Sequence, residues 1–339
     1  MGASVIGLDV DPIPVLMTKA GLTYVPLDHK RKVFEEFLEA LRGRLQPLFQ
    51  TLCPHGCKAE TQFVLYGLRK RCDCREVIVV DSLIVREERS GRNVRICPIC
   101  GEITWEEHNH SSTEIPRIIE KRQKVCQICG EEFQEILEEP FVRRYVPLII
   151  SGFCPIHGFF MKTVESHDME VLRRAEEIAA AIDFGPPEQF AVIPGPKSVD
   201  LLNRGVRSFL DLFTSRQRIF LYESEGLLKQ FDDKDRLWLA LLISTSLEFN
   251  CLLCGYKGAS SRRPGAIRHV FSHHAYTFPY TALENNPVFR RPTSGTLERL
   301  FRDKILRGAK WASCPVERRI VRGKVVKVRI SGETAFGHE

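Results

Sequence analysis

CPHGC (53–57), CDC (72–74), CPICG (97–101), CQICG (126–130) and CPIHG (154–158) punctuate one third of the chain with five closely spaced metal-ligand pairs. The pairs are Cys53/Cys57, Cys72/Cys74, Cys97/Cys100, Cys126/Cys129 and Cys154/His157, and they hold nine of the twelve cysteines. Thiolates two to four residues apart reach one ion from a single tight turn, and two such turns complete a tetrahedral zinc shell. Gly101, Gly130 and Gly158 directly follow three of the pairs. Glycine there allows the positive-φ turn that aims backbone N–H groups at sulfur. Structural zinc, two ions or more, is the first expectation.

Outward from these turns the sequence reads as β-type runs. FVLY (63–66), EVIVVDSLIV (76–85), NVRI (93–96) and VPLII (146–150) alternate with the cysteines, as hairpins carrying knuckles would. Before them, Phe34, Phe37, Leu38, Leu41 and Leu45 recur at helical spacing, which predicts an amphipathic helix over 30–50. After them, a charged helix is expected over 168–181, then a linker marked by Gly185-Pro186-Pro187 and Pro194-Gly195-Pro196. Helices are expected over 214–231, 233–249 and 294–311, the second apolar nearly all round and therefore buried. IVRGKVVKVRI (320–330) alternates apolar and basic residues and predicts a strand or hairpin. Glu284-Asn285-Asn286-Pro287 reads as a turn.

The chain of 339 residues can bury a sizeable core, and no apolar run approaches the roughly 20 residues of a membrane span. Its start lacks a basic n-region and a cleavage site, so the expected location is the cytoplasm. There, paired cysteines favour metal over disulfides. With 49 basic and 43 acidic residues the net charge is +6. Basic residues cluster at Arg69-Lys70-Arg71, Arg143-Arg144, Arg262-Arg263 and Arg318-Arg319, and again at Arg322, Lys324, Lys327 and Arg329. Beside zinc knuckles such clusters point to a nucleic-acid partner, whereas each cluster alone would be a solvated face.

Spacing leaves the ligand partition open. Taken in order, Cys53, Cys57, Cys72 and Cys74 would hold one ion and Cys97, Cys100, Cys126 and Cys129 a second. Cys154 and His157 would then replace the 126/129 pair, or hold a third ion with water or a partner residue. His108 and His110 read as loop histidines. Cys251 and Cys254 read as half-buried thiols at the end of the buried helix. A catalytic zinc needs an open position beside a general base, and no His-x-Glu precedes the CPIC turn as it does in zinc deaminases.

Residues 3–8 form a short apolar run that ends at Asp9, with Asp11-Pro12 opening a helix. GLDVDPIPVLMTKA (7–20), a cysteine-rich insert, SFLDLFTSRQ (208–217) and HVFSHHAYTFPYTALENNPVF (269–289) then follow in order. In that order the chain resembles the zinc-ribbon-containing adenine-specific DNA methyltransferases of the amino-methyltransferase class. The resemblance runs over nearly the whole chain, and the 269–289 run is its most specific part. It implies an α/β fold: a partial Rossmann-like segment over 1–51, a zinc-ribbon insertion over 52–162, and a helical region with a C-terminal hairpin over 163–339.

The resemblance also implies roles. Asp9 would accept hydrogen bonds from the ribose of S-adenosylmethionine, as a strand-end acid does in dinucleotide sites. His269, His273, His274, Tyr276 and Tyr280 would approach the target base and its phosphates. The family's glycine-rich cofactor loop and its Asp-Pro-Pro-Tyr tetrapeptide do not occur in the sequence. Phe278-Pro279-Tyr280 lacks the carboxylate that would hold the amino group. No catalytic residue is therefore assigned, and this polypeptide alone is expected not to methylate DNA. A companion polypeptide would have to supply the missing motifs. The competing expectation is a non-enzymatic zinc module that binds nucleic acid or protein.

Overall fold

The computed structural model describes residues 6–87, 93–105, 108, 110–111, 113–259, 265–272 and 275–330. Fifteen strands lie among them. The first eight are β1 (Gln50–Leu52), β2 (Lys58–Arg71), β3 (Glu76–Val80), β4 (Ile84–Glu87), β5 (Asn93–Ile96), β6 (Ile103–Thr104), β7 (Ile118–Glu120) and β8 (Gln134–Glu135). The rest are β9 (Tyr145–Cys154), β10 (Gly158–Thr163), β11 (Gly255–Lys257), β12 (Ala266–Arg268), β13 (Thr281–Asn285), β14 (Val316–Val321) and β15 (Lys324–Arg329). Ten of them form one mixed sheet with the path β10-β9-β2-β13-β11-β12. β4, β5 and β6 form a small second sheet, and β14 pairs only with β15.

β2 is the spine. It pairs with β9 along one edge and β13 along the other, with β1 at its start, and with β3 and β8 at its end. Its centre, Phe63–Leu68, is buried throughout. A strand covered on both faces tolerates no alternation of apolar and polar residues, which is why FVLYGL reads as a continuous apolar run. On one face the small β4–β6 sheet packs Val85, Val94 and Ile96 against Phe63, Leu65 and Ile149. On the other, Val64, Tyr66, Leu68 and Ile150 meet Leu201, Val206, Leu212 and the 251–254 segment.

The helices are α1 (Pro12–Leu22), α2 (Leu27–Leu45), α3 (Ser166–Ala180), α4 (Val199–Asn203), α5 (Ser215–Leu228), α6 (Asp233–Ser246), α7 (Leu297–Leu300) and α8 (Arg307–Ser313), the last two joined by a π-helical turn. Helices α2, α3, α5 and α6 and the α7 region share one core built on Phe34, Phe37, Leu41, Phe220, Leu239 and Phe301. Phe34 stacks on Phe301 with ring centroids 4.0 Å apart. α6 is nearly surrounded, with Trp238, Leu239, Leu242 and Ile243 all buried, as its all-round apolar sequence requires. Asp232 caps its first turn by accepting from the Asp235 N–H at 2.8 Å.

Two buried ion pairs join the helices to the sheet: Lys162 on β10 with Asp168 on α3 at 2.8 Å, and Arg216 on α5 with Glu284. Glu284, on β13, accepts from Arg216 Nε at 2.8 Å and Nη2 at 2.7 Å, from Thr214 Oγ1 at 2.7 Å and from Tyr66 Oη at 2.6 Å. Arg216 also donates to the Leu48 carbonyl at 3.1 Å. Burial pushes the Glu284 carboxyl up, but Arg216 outweighs it and holds the group below the usual carboxylate range. The 284–287 segment is thus not the surface turn its polar residues predict. Glu284 and Asn285 are the end of a central strand, and Asn286 donates to the Thr61 carbonyl at 2.9 Å. Buried polar groups stay polar only when so satisfied.

Two further expectations change. Residues 6–10 are exposed and carry no strand, and 1–5 lie outside the described residues. Asp9 instead accepts from the Asp11 N–H at 3.0 Å, a local turn contact. The expected boundaries at 51/52 and 162/163 do not separate cores. β11, β12 and β13, from the C-terminal segment, complete the same sheet as β2 and β9. α2, from the N-terminal segment, packs with α5 and α6. Every pairing in the large sheet is antiparallel except β3 with β7.

Candidate metal centres

The sheet register decides which ligand pairs meet. The β1–β2 turn carries Cys53 and Cys57, and the β9–β10 turn carries Cys154 and His157. Because β2 runs antiparallel to β9 with Glu60 opposite Phe153, both turns fall at one end of the sheet. There His157 Nδ1 lies 3.5 Å from Cys53 Sγ and 3.6 Å from Cys154 Sγ. Cys57 faces both thiols. Burial pushes its pKa up, and the neighbouring Cys53 and Cys154 push it further.

At the other end of β2, the β2–β3 turn presents Cys72 and Cys74. They meet Cys126 and Cys129, which sit in a turn closed by a bridge between Val125 and Glu132. Cys74 Sγ lies 3.6 Å from Cys72 Sγ and 3.7 Å from Cys126 Sγ. The backbone N–H groups of Cys129 and Ile128 point at Cys126 and lower its pKa to about 6. The adjacent Cys129 thiol, with burial, pushes Cys74 up to about 12.

The third set is local. Cys97 and Cys100 occupy the β5–β6 turn, and His108 and His110 come back to meet them. Cys97 Sγ lies 3.1 Å from His110 Nε2, and Cys100 Sγ lies 3.4 Å from His108 Nδ1. Burial raises Cys97, but the N–H groups of Cys100 and Ile99 prevail and bring it to about 7. Glu114 Oε2 stands 3.5 Å from His110 Nδ1. A carboxylate behind a ligand imidazole fixes its orientation and raises its basicity.

These distances fit one ion per set. Four ligands about 2.3 Å from a tetrahedral ion stand about 3.8 Å apart if sulfur, and slightly closer where nitrogen replaces sulfur. The CPICGE and CQICGE turns also share one backbone pattern. In each, the first cysteine N–H donates to the carbonyl five residues on at 2.8 Å, and the glycine N–H donates back to that cysteine carbonyl at 3.0 Å. Gly101 and Gly130 have φ of 81° and 75°, so the glycines are needed for the turn. All twelve cysteines are free.

The partition therefore differs from the in-order reading. Cys53/Cys57 go with Cys154/His157, Cys72/Cys74 go with Cys126/Cys129, and Cys97/Cys100 go with His108/His110. The two histidines are not idle loop residues. Two signals pointed to them: an odd number of pairs needs a sixth, and His-x-His follows a knuckle within one loop. Two of the sets bring four nitrogen or sulfur donors together, and Cys53, Cys154 and His157 bring three, with Cys57 beside the two thiols. Cys251 and Cys254 are buried with sulfurs 4.0 Å apart, and no further ligand joins them among the described residues.

Of the residues expected near a target base, His269, Tyr276 and Tyr280 are among the described residues. His269 Nδ1 approaches Glu248 Oε1 to 2.6 Å as an ion-pair contact. Tyr276 lines an apolar cavity with Phe213, Leu247 and Val270. Tyr280 lies under Lys70 Nζ, 5.6 Å from the ring centroid. His273 and His274 lie outside the described residues. No helix among the described residues is long and apolar enough to cross a membrane. No protein-family profile, curated protein or solved structure matches the chain.

Proposed function

We propose that this chain is the zinc-scaffolded, DNA-contacting part of an S-adenosylmethionine-dependent, adenine-specific DNA methyltransferase, working in the cytoplasm with a companion polypeptide that carries the missing catalytic motifs. The observation that carries the reading is the presence of three Cys/His sets, two with four converging donors and one with three beside Cys57, each of a size for one zinc ion. Cysteine-rich shells suit structure rather than catalysis, so the chain supplies no reactive metal. The ordered motifs at 7–20, 208–217 and 269–289 supply the methyltransferase part of the proposal.

An unpartnered apolar surface supports the companion. α1 has no buried residue, and Val15, Met17 and Leu22 are exposed on it. Together with Trp311 it flanks a groove against α6 and α8. Apolar area of this kind is unfavourable in water and marks a covered face. The run through Ile6 and Leu8 to Asp9 would add as a strand to the companion's Rossmann-like sheet, which would place Asp9 beside the cofactor ribose. A second reading, a non-enzymatic zinc module binding nucleic acid or protein, is favoured by the same Cys/His sets and needs no companion.

The test is metal analysis together with methyl transfer. The purified chain should hold three zinc ions and transfer no radiolabelled methyl group to adenine-containing duplex. Turnover should appear when a polypeptide bearing the glycine-rich loop and Asp-Pro-Pro-Tyr is added. Turnover by the chain alone, or fewer than two zinc ions, would refute the proposal. Full zinc loading with no activity in any mixture would leave the binding module.

A further inference from the structure

The β14–β15 hairpin stands apart from both cores, and nearly all of its residues are exposed. It carries Arg318, Arg319, Arg322, Lys324, Lys327 and Arg329 against a single acid, Glu317. Its net charge of +5 accounts for almost all of the chain's +6. Among the described residues, members of two other basic clusters are neutralised or used internally. Arg69 and Arg71 pair with Glu139 and Glu138, and Arg144 donates to the carbonyls of Leu137, Glu139 and Arg204. In the hairpin only Arg319 has an ion-pair partner among the described residues, Glu317 at 3.0 Å.

The pairing makes this charge costly to the hairpin itself. Arg318 stands directly opposite Lys327, and Arg329 lies one pair away on the same face, opposite Val316. Like charges directly opposite on a sheet repel. The two-residue turn is Arg322-Gly323, with φ of 51° and 74°. A turn with both central residues at positive φ matches the strand twist but favours Asn, Asp or Gly at the first position. Arg322 is the only non-glycine residue at positive φ among the described residues. An arginine is therefore held at the tip where the backbone resists it. Folding explains neither the tip residue nor the opposed pair, whereas a polyanion would neutralise the opposed pair and give the tip side chain a partner.

We propose that the β14–β15 hairpin is a nucleic-acid-binding ribbon that meets the phosphate backbone through Arg318, Lys327, Arg329 and the tip residue Arg322. A two-stranded ribbon fits the roughly 12 Å major groove of duplex DNA. Basic groups on both faces and at the tip match the two phosphate walls of a groove. An anionic membrane would meet one face and require the apolar groups to gather there. Instead Ile320 and Val325 share one face, and Val321, Val326 and Val328 share the other. Phosphate contacts of this kind position a protein without reading sequence. The inference rests on the nucleic-acid part of the proposed function and is independent of methyl transfer.

The experiment measures binding of the full chain to a fluorescein-labelled 30-base-pair duplex from 50 to 200 mM NaCl. The R318Q/K327Q/R329Q variant and the R322N variant are run in parallel, and asparagine suits the tip turn. Zinc content and circular dichroism equal to wild type establish that the fold is kept. Each lost phosphate contact lowers the slope of log K against log salt by about 0.9. The triple variant should therefore lose close to three units of slope and bind at least tenfold more weakly at 100 mM, and R322N should lose about one unit. Unchanged affinity and slope in both variants would overturn the ribbon while leaving DNA binding intact. Absence of duplex binding by wild type at 50 mM would overturn the ribbon and the DNA reading together. Hairpin-dependent binding to phosphatidylcholine/phosphatidylserine vesicles, without duplex binding, would assign the surface to membranes and overturn the proposal.

Discussion

The helical core and the large sheet are held together in different ways. The helices bury Phe37, Leu41, Phe220 and Leu239 to complete exclusion or nearly so, and no metal ligand lies among them. The sheet buries its middle, but its hairpin turns are closed by Cys/His sets at both ends of β2. Apolar burial is diffuse, so losing one contact leaves the rest. A metal shell concentrates much of a region's stability in four atoms. The contrast teaches that an ion held in these sets would stabilise the sheet's ends and leave the helical core untouched.

The largest effect should come from removing the metal. A strong chelator, or Cys126→Ser, is expected to release zinc and lower the melting temperature. Structural zinc contributes on the order of 10 kcal/mol of apparent binding free energy in small modules. Hydrogen exchange should then show the amides at the ends of β2, β3 and β9 losing protection while α5 and α6 keep theirs. Equal loss in the helices would mean that the two regions are one cooperative unit.

A smaller effect is expected at the joint between the regions. Glu284→Gln leaves Arg216 buried without its counter-charge, which costs about 3–5 kcal/mol, read as a fall in denaturation midpoint. The pH dependence has a fixed sign. The folded-state pKa of Glu284 is depressed, so its stabilisation is full above the unfolded value of about 4.3 and is lost as pH falls below it. The wild-type chain should lose stability through that acid range, and the Gln variant should lose less. Parallel acid profiles would remove Glu284 from the account.

The smallest effect probes the third metal set alone. Glu114→Gln weakens the support behind His110 without touching a ligand, and should cost about 10–100-fold in affinity for one zinc of three. Competition with a chromophoric chelator reads this directly. Uniform weakening of all three ions would show that the sets are coupled.

Much of this was legible in the residues and some was not. The knuckles were, because Cys-x-x-Cys-Gly is local and its glycine φ follows from the turn. The helices were, because Phe34, Phe37, Leu38 and Leu41 keep helical spacing whatever they pack on. The partners of Cys53/Cys57 and Cys72/Cys74 were not, because they depend on which segments meet the two ends of β2, a long-range choice that no local spacing records. The 284–287 segment was misread for a related reason. Glu284 and Asn286 look like turn residues until Arg216, Tyr66 and the Thr61 carbonyl are brought to them. The strand expected at 3–8 is not formed over residues 6–8, where an apolar run has no neighbouring strand to pair with.

The ligand sets close like brackets within brackets. Cys97 to His110 lies inside Cys72 to Cys129, which lies inside Cys53 to His157. Closing a chain loop costs entropy that rises with the logarithm of its length, and each inner closure shortens the effective loop of the next. Metal loading would therefore favour assembly from the innermost set outward. A polypeptide starved of zinc during synthesis would stall with its outermost clasp open, and Cys53 and Cys154, more than a hundred residues apart in sequence and still strangers, would be the thiols most open to wrong partners.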